Sequence, residues 1–291
     1  LIPQIRDING VSVCSFIPNE EFGFHFKKPV IIMLDELGKA NRAVMNACLK
    51  LMLERSLGVH TLPEGSIVFA TTNLSAEGIG DNMPPHARNR VAVTKVRKPS
   101  SEEWLQYAIA NNVEPIICAS VMEYPAMLES FENYDMPSQN DYIYDPRVTR
   151  SAFVTPRSLE QASHILKRTA QLSEEIIYHT LIGVIGERAA MDIMNLNKLA
   201  CQLPSWGEVI DNPQTAKLPT SGAASCIMVS KALSNVNAST MTQWMAYLSR
   251  LPKETQALFA ISIMAAKCPK RDIAVTNKAF TQYCIDNGYL F

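Results

Sequence analysis

The chain has 291 residues, 47% apolar and 19% charged, a balance that excludes a disordered or fibrous protein and allows two or three compact units. Its 27 basic and 28 acidic residues give a net charge of −1, so no bulk field favours nucleic acid or an anionic membrane. Seven scattered cysteines without a C-x-x-C pair fit reduced thiols in a cytoplasmic protein, and the longest apolar run, residues 257–266, is too short to span a bilayer.

In chain order, LIPQIRDING has neither an initiator Met nor a helix-capping signal, and it reads as the interior of a longer chain. VSVCSFI (11–17) is a plausible strand, and PVIIML (29–34) and SIVFATT (66–72) are strong ones. The near-continuous apolarity of these two predicts strands covered on both faces of a parallel sheet. Between them, NRAVMNACLKLMLERS places Val44, Ala47, Cys48 and Leu51 at helical spacing. Strand, helix and strand make a βαβ unit, so the two strands are expected to run parallel. GVHTLPEG is turn-rich, with room for a small hairpin, and RVAVTKV (90–96) is read as a fourth strand.

After Pro99 the texture becomes helical. Ser100 and Glu103 form a capping box that opens SEEWLQYAIANN, and 133–150 is polar, aromatic and loop-like. Thr155-Pro156 fits N-cap and first position of the helix beginning RSLEQASH, and the proline-rich 203–222 marks a boundary before further helices.

The chemistry gathers at strand ends. PVIIMLDE delivers two adjacent acids after an apolar run, where a carboxylate must be paired, protonated or metal-bound. This matches the Walker B pattern of P-loop ATPases. Asp35 would hold Mg²⁺ and Glu36 would orient and deprotonate the attacking water. SIVFATTN ends in Asn73, which could position that water from the neighbouring strand, and PPHARNRV places Arg88 and Arg90 before the fourth strand. TPRS sets Arg157 in the first turn of a helix, where its fixed fork of donors suits a phosphate.

Taken in order, these motifs resemble the AAA+ ATPases, with Asn73 at sensor 1, Arg90 (Arg88 as alternate) as arginine finger and Arg157 at sensor 2. DELGKANRA, LPEGSIVFATTN and VTPRS lean toward the MoxR-like branch, with a departure at Gly38-Lys39, where Asn-Arg is usual. The resemblance covers residues 1 to about 190. It implies an α/β P-loop NTPase core with a parallel sheet (1–98), a helical lid (99–190) and a helical C-terminal extension (191–291). It also implies ATP and Mg²⁺ as cofactors, a homo-oligomeric, hexameric ring, and chaperone-like remodelling of a protein partner that carries a von Willebrand factor A domain. Nucleic acid and membrane are not expected partners. Trans arginine fingers are worth about 10³–10⁵ in rate.

A phosphate loop of the form G-x-x-x-x-G-K-[ST] is missing from the sequence, because its one Gly-Lys, Gly38-Lys39, is followed by Ala40 and comes after the acids. The expectation is that the loop lies before residue 1 and that this chain alone does not hydrolyse ATP. The competing readings are a non-catalytic scaffold of AAA+ ancestry and a DNA-handling AAA+ motor. The five histidines show no metal-ligand spacing, and KVRK (95–98) is read as a solvated strand end.

Overall fold

The computed structural model describes residues 2–73, 89, 91–169, 171–266 and 268–288. The chain divides into two compact units, one ending at Val96 and one beginning at Arg97. It is a mixed α/β protein with a small parallel sheet and a helical C-terminal region.

The first unit opens with a hairpin, β1 (Ile2–Ile8) paired antiparallel with β2 (Val11–Ile17), in which Ile8 faces Val11. Asn9 and Gly10 both take positive φ (57° and 79°), the geometry of a tight Asn-Gly hairpin turn. Asp7 Oδ1 closes the turn by accepting from Gly10 N at 2.9 Å. The opening from Ile2 to Gly10, which shows no capping signal, is therefore a strand and turn. The other end of the hairpin is tied down where the His60 Nε2 lies 2.7 Å from the Phe16 carbonyl oxygen.

β3 (Ile31–Leu34) and β6 (Ile67–Ala70) pair in parallel, with Leu34 beside Ala70, as the βαβ pattern predicts. The intervening helix α1 (Arg42–Glu54) is capped by Asn41, which accepts from Val44 N. Its buried residues are Met45, Leu49 and Leu51, with Cys48 and Met52 half-buried, whereas Val44 and Ala47 are exposed. The helical period is as expected and Cys48 and Leu51 turn inward as read, but Met45, Leu49 and Met52 take the inward places expected of Val44 and Ala47. Burying Met and Leu in place of Val and Ala removes more apolar area from water. The short strands β4 (Ser56–Leu57) and β5 (His60–Thr61) form the small hairpin before the turn into β6.

Residues 91–96 form no strand, which corrects the expected fourth strand at 90–96. An alternating pattern supplies a face, but a strand exists only where a neighbour accepts its ladder, and among the described residues β3 and β6 pair only with each other. The sheet is covered on one face, where Ile32, Leu34 and Val68 pack with Leu51 and Leu62. On the other, Ile31 (73% exposed), Met33 (54%), Ile67 (54%) and Phe69 (41%) face solvent, so the expected two-sided burial is not met.

The second unit is helical. α2 (Ser101–Ala110) opens on the predicted Ser100–Glu103 capping box, and α3 (Pro115–Glu123) buries every position from Ile116 to Val121. The 133–150 segment is irregular and is held by two arginines. Arg147 donates to the Asp145 carboxylate and to the carbonyls of Tyr134 and Asp135; Arg150 donates to those of Pro137, Asn140 and Ile143. α4 (Pro156–Leu166) begins on Thr155 and Pro156 as expected. α5 (Glu174–Ile185) and α6 (Glu187–Ala200) break at Gly186, where φ is +84° and an added Cβ would sit 2.8 Å from the Ala152 carbonyl oxygen.

After α7 (Trp206–Asp211), α8 (Gly222–Asn235) gives Cys226 and Ile227 to one hydrophobic cluster and Met228, Val229, Ala232 and Leu233 to a second. α9 (Met241–Leu248), α10 (Lys253–Met264), α11 (Arg271–Thr276) and α12 (Lys278–Asp286) close the second cluster around Trp244, Tyr247, Phe259 and Phe280. The apolar run 257–266 lies largely in α10, where it buries Phe259, Ala260 and Ile263 and leaves Ile261 exposed, and no described helix is long and apolar enough to cross a membrane.

The Arg147 guanidinium holds the Asp145 carboxyl below the usual carboxylate range. A carboxyl whose pKa falls on folding stabilises the fold above its unfolded pKa and loses that contribution as the pH falls through the folded value. Arg147→Ala is expected to lower the melting temperature at pH 7 by about 2–4 °C, and the gap should narrow below about pH 4. A gap that stays constant from pH 7 to pH 3 in thermal melts would contradict this role for the pair.

Candidate functional site

The site is built at the carboxyl ends of β3 and β6, where a parallel sheet presents its ligand-facing loops. Directly after Leu34 the chain turns through Asp35 and Glu36 into a single 3-10 turn, Leu37–Lys39. Leu37 is buried with Met45, Leu49 and Ala70, so one apolar side chain anchors a polar turn to the core. With Leu37 drawn inward, Glu36 adopts a left-handed backbone (φ 52°, ψ 39°). That conformation costs a residue with a Cβ about 1–2 kcal/mol. Both carboxylates are exposed.

β6 continues as a template for this turn. Thr71 N donates to the Leu34 carbonyl at 3.0 Å, and Leu37 N donates to the Thr71 carbonyl at 2.9 Å. The Thr71 hydroxyl donates to Asp35 Oδ1 in a short hydrogen bond. Glu36 N donates to Asp35 Oδ1 (3.1 Å) and to Thr71 Oγ1 (3.3 Å). The structure thus brings Asp35, Glu36 and Thr71 together. Asn73 follows two residues beyond Thr71, half-buried, with no hydrogen-bond partner among the described residues. Thr71 was missed by reasoning from sequence; its signal was its register, one residue past Ala70 and so beside the residue after Leu34.

Lys39 also has a partner: its Nζ lies 2.7 Å from Glu36 Oε1. The departure from the MoxR-like pattern at Gly38-Lys39 therefore places an ammonium on the Glu36 carboxylate. Both side chains are roughly half exposed, so the pair contributes at most a few tenths of a kcal/mol to stability (about 0.2–0.5).

The donor set suits an oxygen-seeking cation. Asp35 Oδ1 already accepts two hydrogen bonds, while Oδ2 has no partner among the described residues. Mg²⁺ is commonly held by one or two carboxylates, with water and substrate phosphates completing its shell. Among the described residues no group of three or more His, Cys, Asp and Glu side chains comes together, so a cation here would take its remaining ligands from water or phosphate.

Arg157 belongs to the second unit, at the second position of α4, and its side chain is exposed. It makes no ion pair among the described residues. A guanidinium at a helix N-terminus adds to the positive end of the helix dipole, so this arrangement favours an anion. Arg157 lines a cavity of about 410 Å³ with Pro99, Trp104, Tyr107 and Glu160. The Tyr107 hydroxyl donates to Glu160 Oε1 at 3.2 Å, and the Glu160 charge pushes the phenol above its usual pKa. Arg97, from the KVRK run, grips Glu103 through both terminal nitrogens (2.6 and 2.7 Å) and is not a free basic group. Arg88 and Arg90, the finger candidates, lie outside the described residues.

Burial pushes the Cys118 and Cys226 thiols up to about 12, the character of inert core sulfurs rather than nucleophiles. No protein-family model matches the chain, and no curated protein or solved structure matches it significantly.

Proposed function

We propose that this chain supplies the cation- and water-handling half of an ATP-hydrolysing site of the AAA+, MoxR-like kind. The observation that carries the reading is the acid turn: two adjacent carboxylates at the carboxyl end of a parallel strand, the second on a strained left-handed backbone. A strained polar turn adds nothing to stability and is the kind of feature found where chemistry is done. Asp35 is assigned the Mg²⁺, Glu36 the deprotonation of the attacking water, Asn73 the orientation of that water, and Arg157 the γ-phosphate. Mg²⁺ supplies charge neutralisation for the transferred phosphoryl group. Arg90, with Arg88 as alternate, is assigned the finger role across a ring interface. The phosphates themselves need a loop that the 291 residues do not contain. By the same resemblance the ring is hexameric, cytoplasmic and chaperone-like, and it acts on a protein partner that carries a von Willebrand factor A domain.

One observation favours a second reading. Lys39 sits on the Glu36 carboxylate at 2.7 Å, so the oxygen that would face the attacking water is already engaged by an ammonium. A non-catalytic scaffold of the same ancestry would tolerate that pair indefinitely.

Glu36→Gln in the protein that carries both halves should retain ATP binding and lower turnover by at least about 100-fold, the range of a general base. Unchanged turnover sinks the catalytic assignment. A wild-type protein that assembles and captures its partner without binding nucleotide supports the scaffold. Arg157→Ala should weaken ATP binding more than ADP binding, because the assigned contact is to the γ-phosphate; equal weakening would remove that role.

A further inference from the structure

We infer that Thr71 is a positioning residue of this site, fixing which oxygen of Asp35 remains open to the cation. The inference rests on the reading of Asp35 as the cation-holding acid, and it gives a role to a residue to which the motif assigns none.

The argument starts from the backbone. Thr71 is locked on both sides, its N–H on Leu34 and its carbonyl on Leu37. Its side chain is β-branched and stiff about its first torsion, so the hydroxyl is delivered to a fixed point beside β3. There it donates to Asp35 Oδ1 and accepts from Glu36 N. With the Glu36 N–H also on Oδ1, two donors fill one carboxylate oxygen and leave Oδ2 bare among the described residues. Asp35 is exposed, so without the hydroxyl its carboxylate could turn among rotamers that present either oxygen. Partners of this kind, which orient a ligating side chain without touching the metal, are typically worth about 10–100-fold in metal affinity. Thr71 also joins the two assigned acids, because Glu36 N bonds to both Asp35 and Thr71. One hydroxyl therefore sets the carboxylate of the first acid and the entry of the chain into the second.

The test measures binding, not turnover. In the full-length protein, the Mg²⁺ concentration that half-saturates ATP binding is determined for wild type, Thr71→Val and Thr71→Ser, with melting temperature as a control. Thr71→Val keeps the shape and loses the hydroxyl; it should raise the Mg²⁺ requirement at least about tenfold while Mg²⁺-free ATP binding is unchanged. Thr71→Ser restores the donor and should stay within about threefold of wild type. In an Asp35→Asn background, Thr71→Val should have no further effect, since Thr71 acts through Asp35; this arm stands even if the single variant folds poorly. An unchanged Mg²⁺ requirement in Thr71→Val overturns the inference, as does a Thr71→Ser that behaves like Val or an undiminished effect in the Asp35→Asn background. If wild type binds ATP without any Mg²⁺ dependence, the reading of Asp35 itself fails, and the inference with it.

Discussion

Two backbone hydrogen bonds beyond the end of a four-residue strand hold the acid turn in place: Thr71 N to Leu34 O, and Leu37 N to Thr71 O. Parallel strands offer evenly spaced, slanted bonds, and this ladder runs past the regular pairing into the turn. The consequence is mechanical. Asp35 cannot move along the β3 direction without breaking the first bond, and Leu37 cannot leave the core without breaking the second. Between those fixed points there are only two residues, and both are the acids. The left-handed backbone of Glu36 follows from closing so short a path.

That constraint also explains why the turn tolerates strain. Among the described residues, the non-glycine positions with positive φ are Asn9, Glu36, Arg55 and Asn112. Asn9 and Asn112 are the residue type that accepts this region most readily. Arg55 caps the end of α1 and has its N–H on the Leu51 carbonyl. Glu36 has neither reason. Its conformation is imposed from outside by the burial of Leu37 with Met45, Leu49 and Ala70.

The sequence conveyed β2, β3 and β6, α1, the capping box at Ser100 and the Thr155-Pro156 helix start, because each is encoded within a few residues of itself. The face of α1 was legible at Cys48 and Leu51 but not at Val44 and Ala47, since a 3.6-residue period fixes spacing while the depth of each side chain is decided by what packs against it. Residues 91–96 carry an alternating pattern but no strand, because pairing is a property of two segments. The Asn9-Gly10 turn was legible, yet a hairpin whose Ile5 and Val11 remain 79% and 61% exposed gives no core signal to draw the eye. Asp35 and Glu36 were legible as a motif. Thr71 and the Lys39–Glu36 pair were not, since a hydroxyl 36 residues away and a salt bridge across a turn appear only once the register is known.

The acid turn and Arg157 share one property that packing does not account for. Like-charged neighbours at Asp35 and Glu36 repel each other, and a cation in the first turn of α4 opposes the helix dipole. Each arrangement works against the stability of its own unit, and within its unit each is only partly neutralised. Lys39 balances one charge of the acid pair, and Arg157 has no counterion among the described residues. A residual negative charge asks for a cation, and a residual positive charge asks for an anion. Within each unit taken by itself, that local charge is what the roles proposed for Asp35 toward Mg²⁺ and for Arg157 toward phosphate rest on.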